Sequence, residues 1–269
     1  MRVAVVGHVE WIQFARVESV PAAGEIVQAS DYWEEAAGGG AVAAAQLAKL
    51  AGECTFFTVL GYDELGQRSR AQLEAQGVRV EAAIVDKPTR RGFTFVDAGG
   101  ERTITVIGPK LHPSPSQRLP WMELVRTDGV YFTAGDVGAL EAARRARVLV
   151  ATSRELPTLR RAGIELDALV GSGEDIAEKY APGDLEPVPR LIVSTSGSLG
   201  GWAQPGGPFR AAPLPGPLSD AYGAGDSFAA GLTYALADGM EHDQALEFAS
   251  RCGAAVMTGR GPYEGQIDG

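Results

Sequence analysis

The chain predicts an α/β fold: a mostly parallel sheet with helices on both faces. Short apolar runs alternate with helix-length stretches through most of the 269 residues, and that β-α-β-α rhythm is what a covered parallel sheet requires. Two regions break the rhythm. They carry strand and hairpin signals with no helix between them, which predicts a second, smaller sheet.

In chain order, Arg2–Val6 reads as a buried strand ending at Gly7. Ala41–Leu50 is an Ala/Leu-rich helix, Cys54–Val59 a strand, and Glu64–Gln76 a helix closed by Gly77 as its C-cap. Further strands are expected at Gly129–Phe132, Val148–Ala151, Leu166–Val170 and Leu191–Ser194. Helices at Val137–Arg147 and Arg154–Ala162 separate three of them. Two helices close the chain, Asp226–Asp238 and His242–Thr258. The rhythm-breaking regions are a strand at Ile26–Trp33 and a hairpin of Gly92–Val96 with Thr103–Ile107 around a Gly-containing turn. Gln204–Ser219, rich in Pro and Gly, reads as an irregular connection. No internal repeat is present.

Composition narrows the function classes. Apolar content is 45% and net charge −10, which argues against general affinity for nucleic-acid polymers. Two distant cysteines, Cys54 and Cys252, make no disulfide framework or zinc pattern and read as small buried side chains. The N-terminus runs straight into a strand, so a cytoplasmic protein is expected. His8, His112 and His242 are scattered and form no triad or metal pattern, which leaves each a solvated or core-satisfied role. The first strand is followed by Gly7-His-Val-Glu-Trp, without the G-x-G-x-x-G of a dinucleotide-dependent oxidoreductase.

The informative run is Asp220-Ala-Tyr-Gly-Ala-Gly-Asp-Ser-Phe228. It sets two glycines and a carboxylate at the mouth of a helix. Such a mouth presents unpaired N–H groups and a positive dipole end, and glycine lets a phosphate approach the backbone closely. A carboxylate just past the glycines can take a proton from an attacking hydroxyl. An anion cradle with a base is the minimum equipment for phosphoryl transfer to an alcohol.

This run resembles the C-terminal signature D-T-x-G-A-G-D-x-F of the ribokinase-like (PfkB) carbohydrate kinases, with Ala221 in the Thr position. The resemblance covers the chain from Gly7 to about Gly261. It implies a single doubly wound α/β domain over residues 1–269, with a small β lid formed by segments near 14–35 and 91–108 through which such enzymes often dimerise. The activity implied is ATP-dependent transfer of the γ-phosphoryl group to a hydroxyl of a sugar, nucleoside or sugar acid. Asp226 is then the catalytic base, and the N–H groups of Gly223, Ala224 and Gly225 the anion hole.

Other segments extend the resemblance. Pro21-Ala-Ala-Gly-Glu25 matches the family's Pro-x-x-Gly-Glu segment leading into the lid. Gly38-Gly39-Gly40 matches its substrate-side glycine turn. Thr195, Gly197 and Gly200 match its nucleotide segment, and Ser250 and Gly253 lie on a helix similar to the one flanking the adenine. Asp175 stands near the family's water-mediated Mg²⁺ site, where Ser172 and Asp175 replace Asn and Glu or Glu174 acts one place earlier. Asp220 is a candidate for a monovalent cation such as K⁺.

Two polyol readers are missing. The family's Asn falls on Val42, Ala43 or Ala44, depending on register, and its diol-binding Asp on Ile12. Glu10 could supply a carboxylate or be a solvated loop residue; Glu34 or Glu35 could also supply one. Gly40 stands where ribose and phosphosugar kinases often carry Lys, although Lys87, Arg90, Arg91 and Arg102 lie near the lid. The losses motivate a second reading, a kinase-fold nucleotide- or sugar-binding regulator with little catalysis.

Overall fold

A computed structural model describes residues 1–269. Seven parallel strands form the body of one sheet: β1 (Val3–Val6), β4 (Cys54–Gly61), β5 (Val78–Val85), β8 (Gly129–Phe132), β9 (Val148–Thr152), β10 (Ala168–Ser172) and β11 (Leu191–Thr195). Two antiparallel strands, β12 (Gly201–Gln204) and β13 (Gly207–Phe209), finish one edge. The strand order is β13-β12-β11-β10-β9-β8-β1-β4-β5. The chain winds outward from β1 to β5, then returns to β8 and winds the other way. The order therefore reverses beside β1, where open α/β sheets place their ligands.

Burial on β1 shows why both faces are covered. Val3 and Val5 join a core packed under α1 (Gly39–Ala51), α2 (Glu64–Ala75), α5 (Ala224–Ala237) and α6 (His242–Val256). Ala4 and Val6 point the other way, into a core under α3 (Val137–Ala143) and α4 (Leu156–Ala162). Helices α5 and α6 approach closely because Gly231 faces Cys252: a methyl at Gly231 would stand 2.6 Å from its Sγ. Both cysteines are free and buried. No helix is long and apolar enough to cross a membrane.

The second sheet has the order β3-β2-β6-β7, built from β2 (Glu10–Arg16), β3 (Asp31–Ala37), β6 (Arg91–Val96) and β7 (Arg102–Ile107). Phe14, Trp33 and Val96 pack one face of it onto Val42 of α1 and Tyr222. Phe14 stacks on Trp33 at 4.9 Å and meets Tyr222 edge-on at 5.0 Å.

Several expectations need correction. The strand expected at Ile26–Trp33 is Asp31–Ala37, because it pairs antiparallel with β2 in the register Arg16↔Asp31. Ile26 is fully exposed and has no strand partner. Glu10 is not a solvated loop residue; it opens β2 and is buried. Strands β2 and β5 were not anticipated, and β13 lies inside the stretch read as irregular. Helix α3 stops at Ala143, four residues before the expected Arg147.

Candidate active site

The carboxyl ends of β1, β8, β9, β10 and β11 converge with the N-terminus of α5. Gly223 opens that helix in the left-handed conformation at φ 84°. A methyl there would also press on Pro262 at 3.0 Å and Val42 at 3.1 Å, so glycine is required twice over. The backbone N–H groups of Gly223, Gly225 and Asp226 find no acceptor in the protein, and that of Ala224 reaches the Ala221 carbonyl only at 3.5 Å. Gly225 is exposed, and nothing lies within 4 Å of where a side chain would sit. The result is an open cradle of donors at the positive end of a helix dipole.

Asp226 lies beside this cradle and against the glycine turn: a methyl on Gly39 would stand 2.8 Å from its Oδ1. Burial first, and the nearby Glu178 carboxylate second, push Asp226 up to about 6, against the pull of Arg102 and Arg154. A carboxylate tuned toward neutrality is better matched to taking a proton from an alcohol than one near 4.

Glycines also shape the turn that opens α1. Gly38 takes φ 86° at the start of α1, and a methyl on Gly40 would fall 2.5 Å from the His8 carbonyl oxygen. Glu10 meets His8 Nε2 at 3.3 Å and Arg90 Nη1 at 3.0 Å, both through Oε1. Burial works against a charge on Glu10, but His8 and Arg90 outweigh it and hold the carboxyl below its usual range. Burial lowers His8, only partly opposed by the Glu10 hydrogen bond, so the imidazole is neutral near pH 7. Glu34 and Glu35 do not join this group. Glu34 accepts from Trp11 and Arg68, and Glu35 from Trp33 and Gln72. They line a separate open groove of about 750 Å³.

Thr195, Gly197 and Gly200 form the turn after β11, with positive φ at both glycines. Ser250 lies buried on α6 with an unpartnered Oγ. Gly253 packs α6 against α5, where a methyl would stand 3.1 Å from the Ala224 carbonyl oxygen.

Asp175 caps the turn after β10 through the Ala177 amide at 2.9 Å and pairs with Arg154 at 2.6 Å. Those two partners, in that order, outweigh burial and hold it below its ordinary range. Glu174 stays exposed. Asp220 is buried and accepts from the amides of Tyr222 at 2.8 Å and Gly261 at 3.2 Å, tying the loop to the C-terminal segment. Burial raises it.

Four residues, Glu178, Arg154, His8 and Arg102, act here in ways the sequence did not indicate. Glu178, three past Asp175, pairs with Arg154 and raises Asp226. His8 is buried in the site, whereas His112 is exposed and His242 opens α6. Arg102 on β7 donates to the Ala221 carbonyl at 3.2 Å, has no carboxylate partner, and acts on Asp226. Of the four, only Arg102 carried a signal, as a cation near the hairpin.

Comparison with known proteins identifies the family and the fold. The family model described as pfkB family carbohydrate kinase matches residues 1–155 and 135–268. An ATP-dependent ribose-1-phosphate kinase of Halopiger xanaduensis is 28% identical over 94% of this chain and 91% of its own. In fold, the ribokinase of Thermotoga maritima superposes with a TM-score of 0.79 at 21% identity, over 100% of this chain and 96% of that one. Arabidopsis thaliana ribokinase, solved with ribose and ATP, gives 0.74 at 19% identity over 99% and 96%. The match spans both halves of the chain, with the helix-mouth run inside the second: the protein belongs to the PfkB family of carbohydrate kinases.

Proposed function

We propose that the protein transfers the γ-phosphoryl group of ATP to a hydroxyl of a small sugar-like molecule, with Asp226 as the base. The observation that carries this is the set of unpartnered amides at Gly223, Gly225 and Asp226 beside a carboxyl raised to about 6. The acceptor lies between the small sheet, acting as a lid, and the glycine turn at Gly38–Gly40. ATP lies along the turn at Thr195, Gly197 and Gly200, with Ser250 and Gly253 on the flanking helix. Asp226 takes the hydroxyl proton as the alcohol oxygen attacks the γ-phosphorus. The donor cradle then stabilises the charge on the equatorial oxygens as ADP departs.

No group of three or more His, Cys, Asp or Glu side chains is arranged to hold a metal. Mg²⁺ therefore arrives with the nucleotide, held by phosphates and waters, with Asp175 or Glu174 reaching it through water. Asp220 keeps lone pairs for a monovalent cation, since each oxygen accepts only one amide. The acceptor is a sugar, nucleoside or sugar acid. The exposed edge strand β7 fits a homodimer, and the absence of a spanning helix fits a cytoplasmic enzyme.

The test is a screen of sugars, nucleosides and sugar acids with ATP and Mg²⁺, reading product by mass spectrometry. Transfer to a hydroxyl is expected. Tight nucleotide and sugar binding without transfer to any of them would replace this reading with that of a regulator.

A further inference from the structure

Two cations act on Asp226, and only one of them is free to act on anything else. Arg154 is spent: its Nη2 pairs with Asp175 at 2.6 Å and with Glu178. Arg102 pairs with no carboxylate. Its one bond within the protein runs from Nη1 to the Ala221 carbonyl at 3.2 Å, which leaves the other guanidinium donors unpartnered on an exposed side chain.

Three observations bring that guanidinium to the donor cradle. Arg102 stands opposite Val96 in the β6–β7 pair, and cross-strand partners project from the same face of a sheet. Val96 packs on that face against Tyr222, the residue before the cradle. The Ala221 carbonyl that takes Nη1 is also the one the Ala224 amide reaches at 3.5 Å. Two donors that share one oxygen lie within two hydrogen-bond lengths of each other, a gap that one phosphoryl group accepting from both can bridge. Lastly, the Arg102 charge is felt by Asp175 in the turn after β10 as well as by Asp226 and Asp220. The place is open: Gly225 is exposed and Asp226 partly so.

The chemistry there calls for a cation. A phosphoryl group in flight spreads negative charge over its equatorial oxygens, and here it would pass beside the Asp226 carboxylate with Glu178 close behind. The helix mouth offers only about half a positive charge. A planar fork of charged donors matches phosphoryl oxygens far better. Tying the hairpin down needs no such group, because the Gly100 carbonyl already accepts from the Ala221 amide at 2.9 Å.

We propose that Arg102 is a catalytic residue carried by the small sheet: while Nη1 holds the Ala221 carbonyl, its remaining donors bind the equatorial oxygens of the phosphoryl group in transfer. The proposal rests on the kinase reading above. The acceptor oxygen bonds to the γ-phosphorus, the bond from that phosphorus to the β–γ bridging oxygen breaks with its electron pair leaving on ADP, and Asp226 takes the hydroxyl proton. Arg102 offsets charge throughout and transfers no proton.

The experiment compares wild type with Arg102→Ala and Arg102→Gln, using D-ribose, D-fructose, D-ribose 1-phosphate and adenosine as acceptors with ATP and Mg²⁺. Gln keeps a neutral donor for the Ala221 carbonyl and removes the charge. Both variants are expected to lose about 10²–10³-fold in kcat, with KM for acceptor and ATP nearly unchanged. A loss carried by either KM with kcat kept, or Arg102→Gln equal to wild type, overturns the proposal. A second readout needs no turnover. Calorimetry of ADP with Mg²⁺, with and without aluminium fluoride as a mimic of the phosphoryl group in flight, should show tightening by the fluoride in wild type and little in Arg102→Gln, while ADP alone binds both equally. Equal tightening in the two proteins, or none in either, overturns the proposal. Transfer to none of the four acceptors, together with tightening in wild type alone, overturns the kinase reading and leaves Arg102 as the cation of the phosphoryl position.

Discussion

At the scale of single residues, two carboxyls carry opposite consequences for pH. Asp226 is raised to about 6, so kcat/KM should climb with pH through about 6 and level off above it as the base ionises. Asp226→Asn should lower kcat by about 10²–10⁴-fold while leaving nucleotide binding in place. Because the folded pKa lies above the unfolded one, ionising Asp226 costs stability as pH rises from about 4 through 6. The same variant should therefore melt higher than wild type at pH 8; an equal or lower Tm there contradicts the assigned burial. Glu35 obeys the same sign without any part in the reaction. Burial raises it to about 7, so the folded state loses stability as pH climbs from about 4.5 to 7. Glu35→Gln should raise Tm at pH 8, change it little at pH 5, and leave kcat unaltered. His8 and Glu178 show why residue roles are the hardest thing to read from a chain. Each sits in an unremarkable local sequence: Glu178 gains its role from Arg154 and Asp226, far away along it, and His8 from Glu10, itself tied to the distant Arg90.

At the scale of elements, α1 tests how tightly the glycine turn is built. An exposed helical Gly→Ala change usually stabilises by about 1 kcal/mol. At Gly40 the sign should reverse, because the methyl would meet His8 backbone oxygen at 2.5 Å and nitrogen at 2.9 Å, atoms that cannot swing aside. Gly40→Ala should cost about 2 kcal/mol in denaturant unfolding. Gly39→Ala meets only the mobile end of Asp226, so its cost should appear in kcat with Tm nearly kept. Most strands of the large sheet were legible because they are short apolar runs bounded by turns, and Gly129–Phe132 came out residue for residue; the half-buried β5 and the short edge strands β12 and β13 were not. The small sheet was half legible. Its β6–β7 hairpin is local and announced by Gly99 and Gly100, whereas β2 pairs in parallel with β6 across some eighty positions, Trp11↔Arg91. No local pattern encodes that partner, so β2 was missed and β3 was placed too early. The helix-mouth run was the most legible part of the site, because its glycines and carboxylate act through their own backbone and immediate neighbours.

At the scale of the whole molecule, the small sheet ends in an exposed edge. Ile104, Val106 and Ile107 of β7 are 43%, 49% and 44% exposed, and an unpaired apolar edge invites a second strand. If copies pair there, Ile104→Lys should shift the species seen by light scattering from dimer to monomer; a wild type already monomeric at high concentration rules the pairing out. The hairpin also reaches back to the helix mouth. The Gly100 carbonyl accepts from the Ala221 amide at 2.9 Å while Arg102 holds the Ala221 carbonyl, and Arg16 grips the Ser219 carbonyl at 3.0 Å. A single residue is thus clasped through both its N–H and its C=O by the hairpin. On the proposed reading, whatever settles the hairpin also settles the amides assigned to the nucleotide, which makes the two ligands thermodynamic allies. The acceptor should tighten a non-hydrolysable nucleotide by the same factor as the nucleotide tightens the acceptor, and Arg102→Ala should bring both factors, measured by calorimetry, toward one.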